Sequence, residues 1–513
     1  MDSVQKKVDS NRTKLIVKNT IALYLRMAIT MLIGLYTSRV VLNVLGVEDY
    51  GIYNVVGGVV AMFSILTNSM ASSVSRFLTF EQGKRDKGCE RIVFSMSINV
   101  MALMAVVVFF VTEIVGVWFL NVHMNIPNER LIAANWVMQC CILSFIANLL
   151  IVPYNASIIA HERMSIYAYI SIWDAIAKLL IVFALYQSPF DKLKSYAVLL
   201  LLINTITMFF YWLYCRRHFV ECRYMFVKEE KLFRKMFSFA GWAFLGDGAW
   251  TLNTQGVSIL INMFFGVVLN AARGIAFTVD NAIQGFVRNF MTALNPQIIK
   301  SYASGDLEYM HRLIILGSKF SFFLMLFFFI PLELEMPRLL TLWLKIVPDY
   351  AVVFTRITLA SSLCFVLGNT LITAISATGN IRIYEVIMGG LALSIFPMTW
   401  LAFLLGASPV AAYVIYLFVF ICMTFVRVFI ASKKVGLSWH RYMSDVIFKA
   451  LTVMALSFVL PSVCYVMMND SLWRFLTIVM AAPINTVIIV YWVGMNSSER
   501  QTISGMFWWR KQK

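Results

Sequence analysis

The chain has 513 residues, 60% of them hydrophobic and only 13% charged, where an ordinary soluble protein carries about a quarter charged residues. That balance excludes a soluble globular domain and specifies an integral membrane protein. Basic residues outnumber acidic ones 43 to 26, for a formal net charge of +17. They stand in short clusters between hydrophobic runs, the pattern of loops facing anionic lipid, so no nucleic-acid partner is expected.

The N-terminal MDSVQKKVDSNRTK is polar and basic, and no short apolar region with a cleavage site follows. The first span is therefore expected to be retained. Windows of about 20 apolar residues give about fourteen membrane helices. The first six lie near Leu15–Leu42, Gly51–Ser75, Ile92–Leu120, Leu131–Ala160, Ile166–Tyr186 and Ser195–Tyr214. The next six lie near Phe237–Phe265, Ala271–Ile298, Leu313–Leu332, Ala351–Ala377, Ile383–Leu405 and Pro409–Ala431, and two more near Val446–Met468 and Leu472–Val493. Period-two alternation is absent, which argues against a barrel and for an all-α protein.

Orientation follows from charge. Lys6, Lys7, Arg12, Lys14 and Lys18 precede the first span, and Lys84, Arg85, Lys87 and Arg91 follow the second. The largest cluster runs from Arg216 to Lys235, and others hold Lys433, Lys434, Arg441, Arg510, Lys511 and Lys513. All fall on one side of an even-numbered topology, so both termini are expected in the cytoplasm. The expected organisation is an N-terminal lobe over residues 1–215, a basic cytoplasmic linker over 216–236, a C-terminal lobe over 237–432, and two additional helices with a tail over 433–513. The halves resemble each other weakly: Asn43 and Asn262, Gly46 and Gly266, and Gly83 and Gly305 align at a nearly constant offset. A duplication of six helices gives parallel repeats about an axis along the membrane normal, with a cavity expected at the repeat interface.

The stretch NAARGIAFTVDNAIQGFVRNFMTALNPQ, from Asn270 to Gln297, is long enough to cross a bilayer yet carries Arg273, Asp280, Asn281, Gln284, Arg288, Thr292 and Asn295. Helical spacing gathers these into one polar stripe that lipid should not touch. An interhelical hydrogen-bond seam is one reading. Intramembrane ionisable residues default to function, which favours the other, the lining of a hydrated cavity. Further basic residues within spans are Arg26, about 12 Å of helix rise beyond Lys18, and Arg39, Lys319 and Arg356. The last three stand nearer span ends, where snorkelling to the interface competes with a site role.

Acidic residues qualify this cationic picture. Asp174 and Lys178 stand at i and i+4 and read first as a structural ion pair. Asp247 and Asp280 are candidates either to pair with an arginine or to couple Na⁺ or H⁺. The eight cysteines and five histidines are scattered without metal-ligand spacing, so neither a disulfide framework nor a metal centre is expected. No GxxxxGK[ST] or HExxH motif occurs, and no cofactor or enzyme activity is expected. Gly57, Gly58, Gly241, Gly246, Gly248 and Gly256, with Pro153 and Pro296, suit close packing or hinges.

Three segments carry a family resemblance: TSRVVLNVLGVEDYGIYNVVGGVVAMF from Thr37, PYNASIIAHERMSIYAYISI from Pro153, and NAARGIAF with NPQIIKSYASGD. They resemble Wzx-type polysaccharide-biosynthesis flippases of the multidrug/oligosaccharidyl-lipid/polysaccharide (MOP) exporter superfamily, as found in Bacteroides-like bacteria. The resemblance implies a MATE-like fold of two six-helix lobes with two further helices. It also implies translocation of undecaprenyl-pyrophosphate-linked oligosaccharide across the bacterial inner membrane by alternating access, for O-antigen or capsule assembly, with polysaccharide polymerase machinery as a partner. Arg can grip pyrophosphate oxygens with a bidentate fork. The expected substrate-binding set is therefore Arg26, Arg39, Arg273, Arg288, Gln284, Asn281, Lys319 and Arg356. Competing readings are a cation-coupled multidrug exporter, a lipid II flippase, and, in another class, a membrane scaffold or glycan polymerase.

Overall fold

A computed structural model describes residues 2–61, 63–84, 87–122, 127–186, 189–265, 267–344, 347–497 and 499–500. Among them the regular structure is helical. In chain order the α-helices are α1 (Asp2–Ala61), α2 (Ser64–Lys84), α3 (Lys87–Val111), α4 (Val117–Val122), α5 (Leu131–Ala160), α6 (Met164–Tyr186), α7 (Lys192–His218), α8 (Glu230–Phe265) and α9 (Val267–Ala303). They continue as α10 (Leu307–Leu344), α11 (Ala351–Leu367), α12 (Asn369–Ala377), α13 (Arg382–Leu404), α14 (Val410–Val435), α15 (Trp439–Tyr442), α16 (Lys449–Met467) and α17 (Leu472–Ile489). Ten stretches among the described residues are long and apolar enough to cross a membrane. Their exposed apolar residues, such as Leu405, Val466, Met467 and Trp473, suit lipid, whereas a soluble protein would not leave so much apolar surface bare. α8 and α9 are long enough but fall outside the ten; Asp247, Asn253 and Gln255 on one, and the stripe from Arg273 to Asn295 on the other, lower their hydropathy.

The expected second span, Gly51–Ser75, is divided between elements. α1 bends at Gly46, whose φ of 80° no side chain would favour, runs on to Ala61, and α2 begins at Ser64. Glycine fits this bend because it lacks the Cβ that penalises the left-handed region.

By contacts the chain forms two units, residues 15–244 and residues 245–513 together with 1–14. In the first, α5 packs on α2, α3 and α7, and α6 packs on α7. One core cluster joins Ile52, Val56 and Val60 of α1 to Ala134, Val137, Met138 and Ile142 of α5. A second joins Val41 and Leu45 to Ile181, Val182 and Leu185 of α6. Arg130, just before α5, bridges two carboxylates: Nη2 donates to Asp49 at 2.9 Å, three residues past the Gly46 bend, and Nη1 to Asp191 at 2.7 Å. Asp191 also caps α7, accepting from the Lys194 N–H at 3.1 Å. Arg130→Ala should lower the stability of the protein in detergent by about 1–2 kcal/mol, because Asp49 is buried while the arginine is part-exposed. Thermal unfolding measures this, and an unchanged midpoint would remove the bridge from the folding account.

In the second unit, α9 packs on α10, α11 and α12, α11 and α13 pack on α14, and α16 and α17 pack on each other and on α10. α10 is interrupted at Glu335 (φ −105°, ψ 19°), between Pro331 and Pro337. Pro337 has no N–H to offer the carbonyl four residues earlier. That carbonyl belongs to Glu333, and Arg356 Nε donates to it at 2.8 Å. Two further ion pairs fasten α10 to the C-terminal part of the chain, one to α17 and one to Glu499 beyond it. Lys319, fully buried, meets Glu499 at 2.8 and 3.0 Å, and buried Glu335 meets Arg474 at 2.8 Å.

Candidate functional site

Each unit contains a polar cavity walled by its own helices. In the second unit the cavity is about 330 Å³ and is lined from α8, α9, α11 and α14. α9 supplies Asp280, Asn281, Gln284 and Arg288 along one face, as their spacing requires. Gln284 Nε2 donates to Asp280 Oδ2 at 2.8 Å and to Ser362 Oγ at 3.0 Å. Among the described residues the other Asp280 oxygen is buried without a hydrogen-bond partner. Arg288 is exposed to the cavity and donates to the Asn281 carbonyl at 3.1 Å. Trp250, Phe365, Tyr416 and Phe420 close the apolar part of the wall. Their rings pack at 5.5–6.4 Å, for example Trp250–Phe420 at 5.5 Å and Trp250–Tyr416 at 6.4 Å.

Arg273 lies just behind this wall and is 3% exposed. Its Nη2 donates to the Thr254 carbonyl at 2.8 Å, and its guanidinium sits 4.7 Å from the Phe277 ring and 5.9 Å from Tyr416. Thr254, Phe277 and Tyr416 are themselves lining residues, so Arg273 props the wall from outside. Such a guanidinium satisfies a carbonyl and two aromatic faces at once, which a lysine would not.

In the first unit two cavities adjoin. One, about 430 Å³, is lined by Arg26, Thr30, Thr37, Ser171, Asp174 and Lys178 among others. The second, about 370 Å³, shares Tyr53, Lys178 and Tyr196 with it. Arg26 stacks 4.7 Å over the Tyr167 ring. Lys178 Nζ donates to Asp174 Oδ2 at 2.7 Å, and Thr207 Oγ1 to Asp174 Oδ1 at 3.3 Å. The pair that helical spacing marks as structural therefore also forms part of a cavity wall.

The remaining expected residues are engaged elsewhere. Lys319 is held by Glu499, and Arg356 by the Glu333 and Leu334 carbonyls (2.8 and 3.5 Å) with the Glu333 carboxylate 3.7 Å away. Lys319 is fully buried within α10, so it does not snorkel to an interface, and both side chains are engaged by the protein itself. Asp247 is exposed on α8, where its carbonyl accepts from Thr251. The Arg39 side chain lies outside the described residues. Arg427 was missed: it is 4% exposed, its guanidinium lies 4.5 Å from the Phe365 ring, and its Nε and Nη1 have no hydrogen-bond partner among the described residues. Its signal was available, because it is the one charged residue between Pro409 and Ala431. Among the described residues no cluster of His, Cys, Asp and Glu could hold a metal ion.

Known proteins resemble the chain in two ways. A family model described as "Polysaccharide biosynthesis protein" matches residues 16–301, while no curated protein matches. Among solved structures, a MATE transporter in the straight conformation superposes with a TM-score of 0.72 at 13% identity, over 83% of this chain and 96% of that one. An outward-facing multidrug-resistance MATE transporter of the MOP superfamily gives 0.70 at 13% identity with the same coverage. A MOP superfamily transporter from Pyrococcus furiosus, described as having a binding pocket of reverse polarity, gives 0.67 at 13% identity, again over 83% and 96%. At that identity the superpositions establish the fold, all-α and MATE-like; the family match supplies the rest. A multi-pass membrane protein with a MATE-like fold, the chain belongs to the polysaccharide biosynthesis protein family.

Proposed function

We propose that the protein moves an undecaprenyl-pyrophosphate-linked oligosaccharide from the cytoplasmic to the outer leaflet of a bacterial inner membrane, for O-antigen or capsule assembly. The observation that carries this reading is cationic charge inside apolar helices of both units: Arg26 and Lys178 in one, Arg288 in the other, each lining a polar cavity. A cation within a membrane-spanning helix is costly unless it faces water or an anion, and a pyrophosphate offers oxygens that guanidinium and ammonium groups hold strongly. Asn281 and Gln284 add neutral donors and acceptors suited to sugar hydroxyls. Alternating access, cytoplasmic termini and association with polysaccharide polymerase machinery complete the proposal.

The Asp280 oxygen without a partner favours a coupling role for that carboxylate, with Na⁺ or H⁺ as the coupled ion. The excess of arginine and lysine over carboxylates in the cavity walls counts against a cationic drug as cargo. A strain deleted for the protein should accumulate the lipid-linked repeat on the cytoplasmic face and lose surface glycan, measured by protease-free glycan labelling of intact cells and of inverted vesicles. Undiminished surface glycan in a strain with no second flippase would overturn the proposal, and drug hypersensitivity in its place would favour an exporter.

A further inference from the structure

The two adjoining cavities of the first unit differ in chemistry. The larger carries Arg26, Lys178 and the counter-charge Asp174. The smaller, about 370 Å³, has Lys178 as its one charged lining residue, at the shared boundary, and otherwise presents Ser144, Asn148 and Asn204 beside the rings of Tyr53 and Tyr196. Those rings meet edge to face at 5.0 Å. Tyr53 belongs to α1, Asn148 to α5, and Tyr196 and Asn204 to α7, all within one contact unit. The pairing of α5 with α7 is among the most extensive in the unit, so the two amides are held on a firm frame.

Among the described residues the side-chain amides of Asn148 and Asn204 have no protein partner. A carboxamide offers two donors and a two-lone-pair acceptor; Asn148 is exposed and Asn204 half-buried, so both are open to what enters the cavity. A volume of about 370 Å³ falls in the range of roughly 300–1,000 Å³ typical of small-molecule sites. Neutral amides beside aromatic rings match an uncharged sugar, whose hydroxyls both donate and accept and whose C–H faces pack on rings. Lys178, at the boundary, is the one cation an anionic sugar would find in the smaller cavity, and the diphosphate competes for it.

Building on the flippase reading, we propose that Asn148 and Asn204, with Ser144 and the Tyr53–Tyr196 pair, form a subsite for the sugar joined directly to the diphosphate, an uncharged hexose. Lys178 stands at the boundary, where it holds a phosphate oxygen while the sugar enters the smaller cavity. Arg26 takes the far phosphate in the larger one.

The test uses the full-length protein in nanodiscs with two probes, farnesyl diphosphate and farnesyl diphosphate carrying one glucose. Wild type should bind the glucosylated probe about tenfold more tightly, the sum of two hydrogen-bonding groups at about 0.5–1.5 kcal/mol each. The Asn148→Ala/Asn204→Ala double variant should lose that preference while keeping wild-type affinity for the bare diphosphate. Lys178→Met should weaken both probes. Ser144→Trp, which fills the cavity and removes no amide, should exclude the glucosylated probe alone, and it decides the matter if the double variant does not fold. Equal affinity of wild type for the two probes would overturn the sugar subsite and leave the flippase reading standing. Binding of neither probe would overturn both, and equal weakening of both probes by the double variant would reduce Asn148 and Asn204 to a structural role.

Discussion

Replacing Glu499 by alanine is expected to destabilise the second unit by about 3–5 kcal/mol, because it strands a charge that is fully buried. Lys319 has no exposure to solvent, and its ammonium meets both Glu499 oxygens within 3.0 Å, with the Gly494 carbonyl a distant third partner at 3.5 Å. The decisive comparison is between single and double replacements. Lys319→Met/Glu499→Met removes both charges and should recover most of the loss, since a buried pair costs nearly as much to desolvate as it returns. Unfolding followed by intrinsic fluorescence or scanning calorimetry in detergent reads both. A single variant no less stable than wild type, or a double variant worse than either single one, would sink the idea that this pair fastens the segment after α17 to α10.

The second large effect concerns transport. Arg26→Ala and Arg288→Ala should each slow translocation about tenfold, the loss of one charge-assisted contact of about 1.5–3 kcal/mol discounted for water in the cavity. They lie in different units, so the double variant should be close to multiplicative, about a hundredfold. Arg273 provides the contrast. It is buried behind the wall at Thr254, Phe277 and Tyr416, so Arg273→Ala should reduce stability as well as transport. The measurement is flipping of a fluorescent lipid-linked sugar in proteoliposomes, paired with unfolding midpoints. Full activity of the Arg26/Arg288 double variant would remove the cationic cavities from the mechanism.

Much of this was legible in sequence because lipid simplifies the reading. The helical class follows from length and hydropathy, ten of the about fourteen spans expected being long and apolar enough among the described residues, and the face shared by Asp280, Asn281, Gln284 and Arg288 follows from helical spacing. What sequence could not supply was the direction of each long side chain. Arg356 and Lys319 look as available as Arg26 on a one-dimensional count. The difference lies in partners distant along the chain: a carbonyl orphaned by Pro337 for one, Glu499 for the other. Lys178 is the opposite case. Its neighbour Asp174 at i+4 explained it locally, and nothing in the spacing shows that the pair faces a cavity.

The polarity of α8 and α9 bears on how the protein is made. A nascent helix enters the bilayer readily when its own hydropathy suffices, and a centrally placed arginine or aspartate costs about 2.5–3.5 kcal/mol on that scale. α9 carries two arginines and an aspartate in its apolar stretch, so it partitions poorly alone. α10, which packs directly on it and is strongly apolar, emerges next from the ribosome. Insertion of α9 is therefore expected to wait for α10. With the orientation proposed above, the basic cluster between Arg216 and Lys235 lies in the cytoplasm and is expected to hold the chain in that sense during the pause.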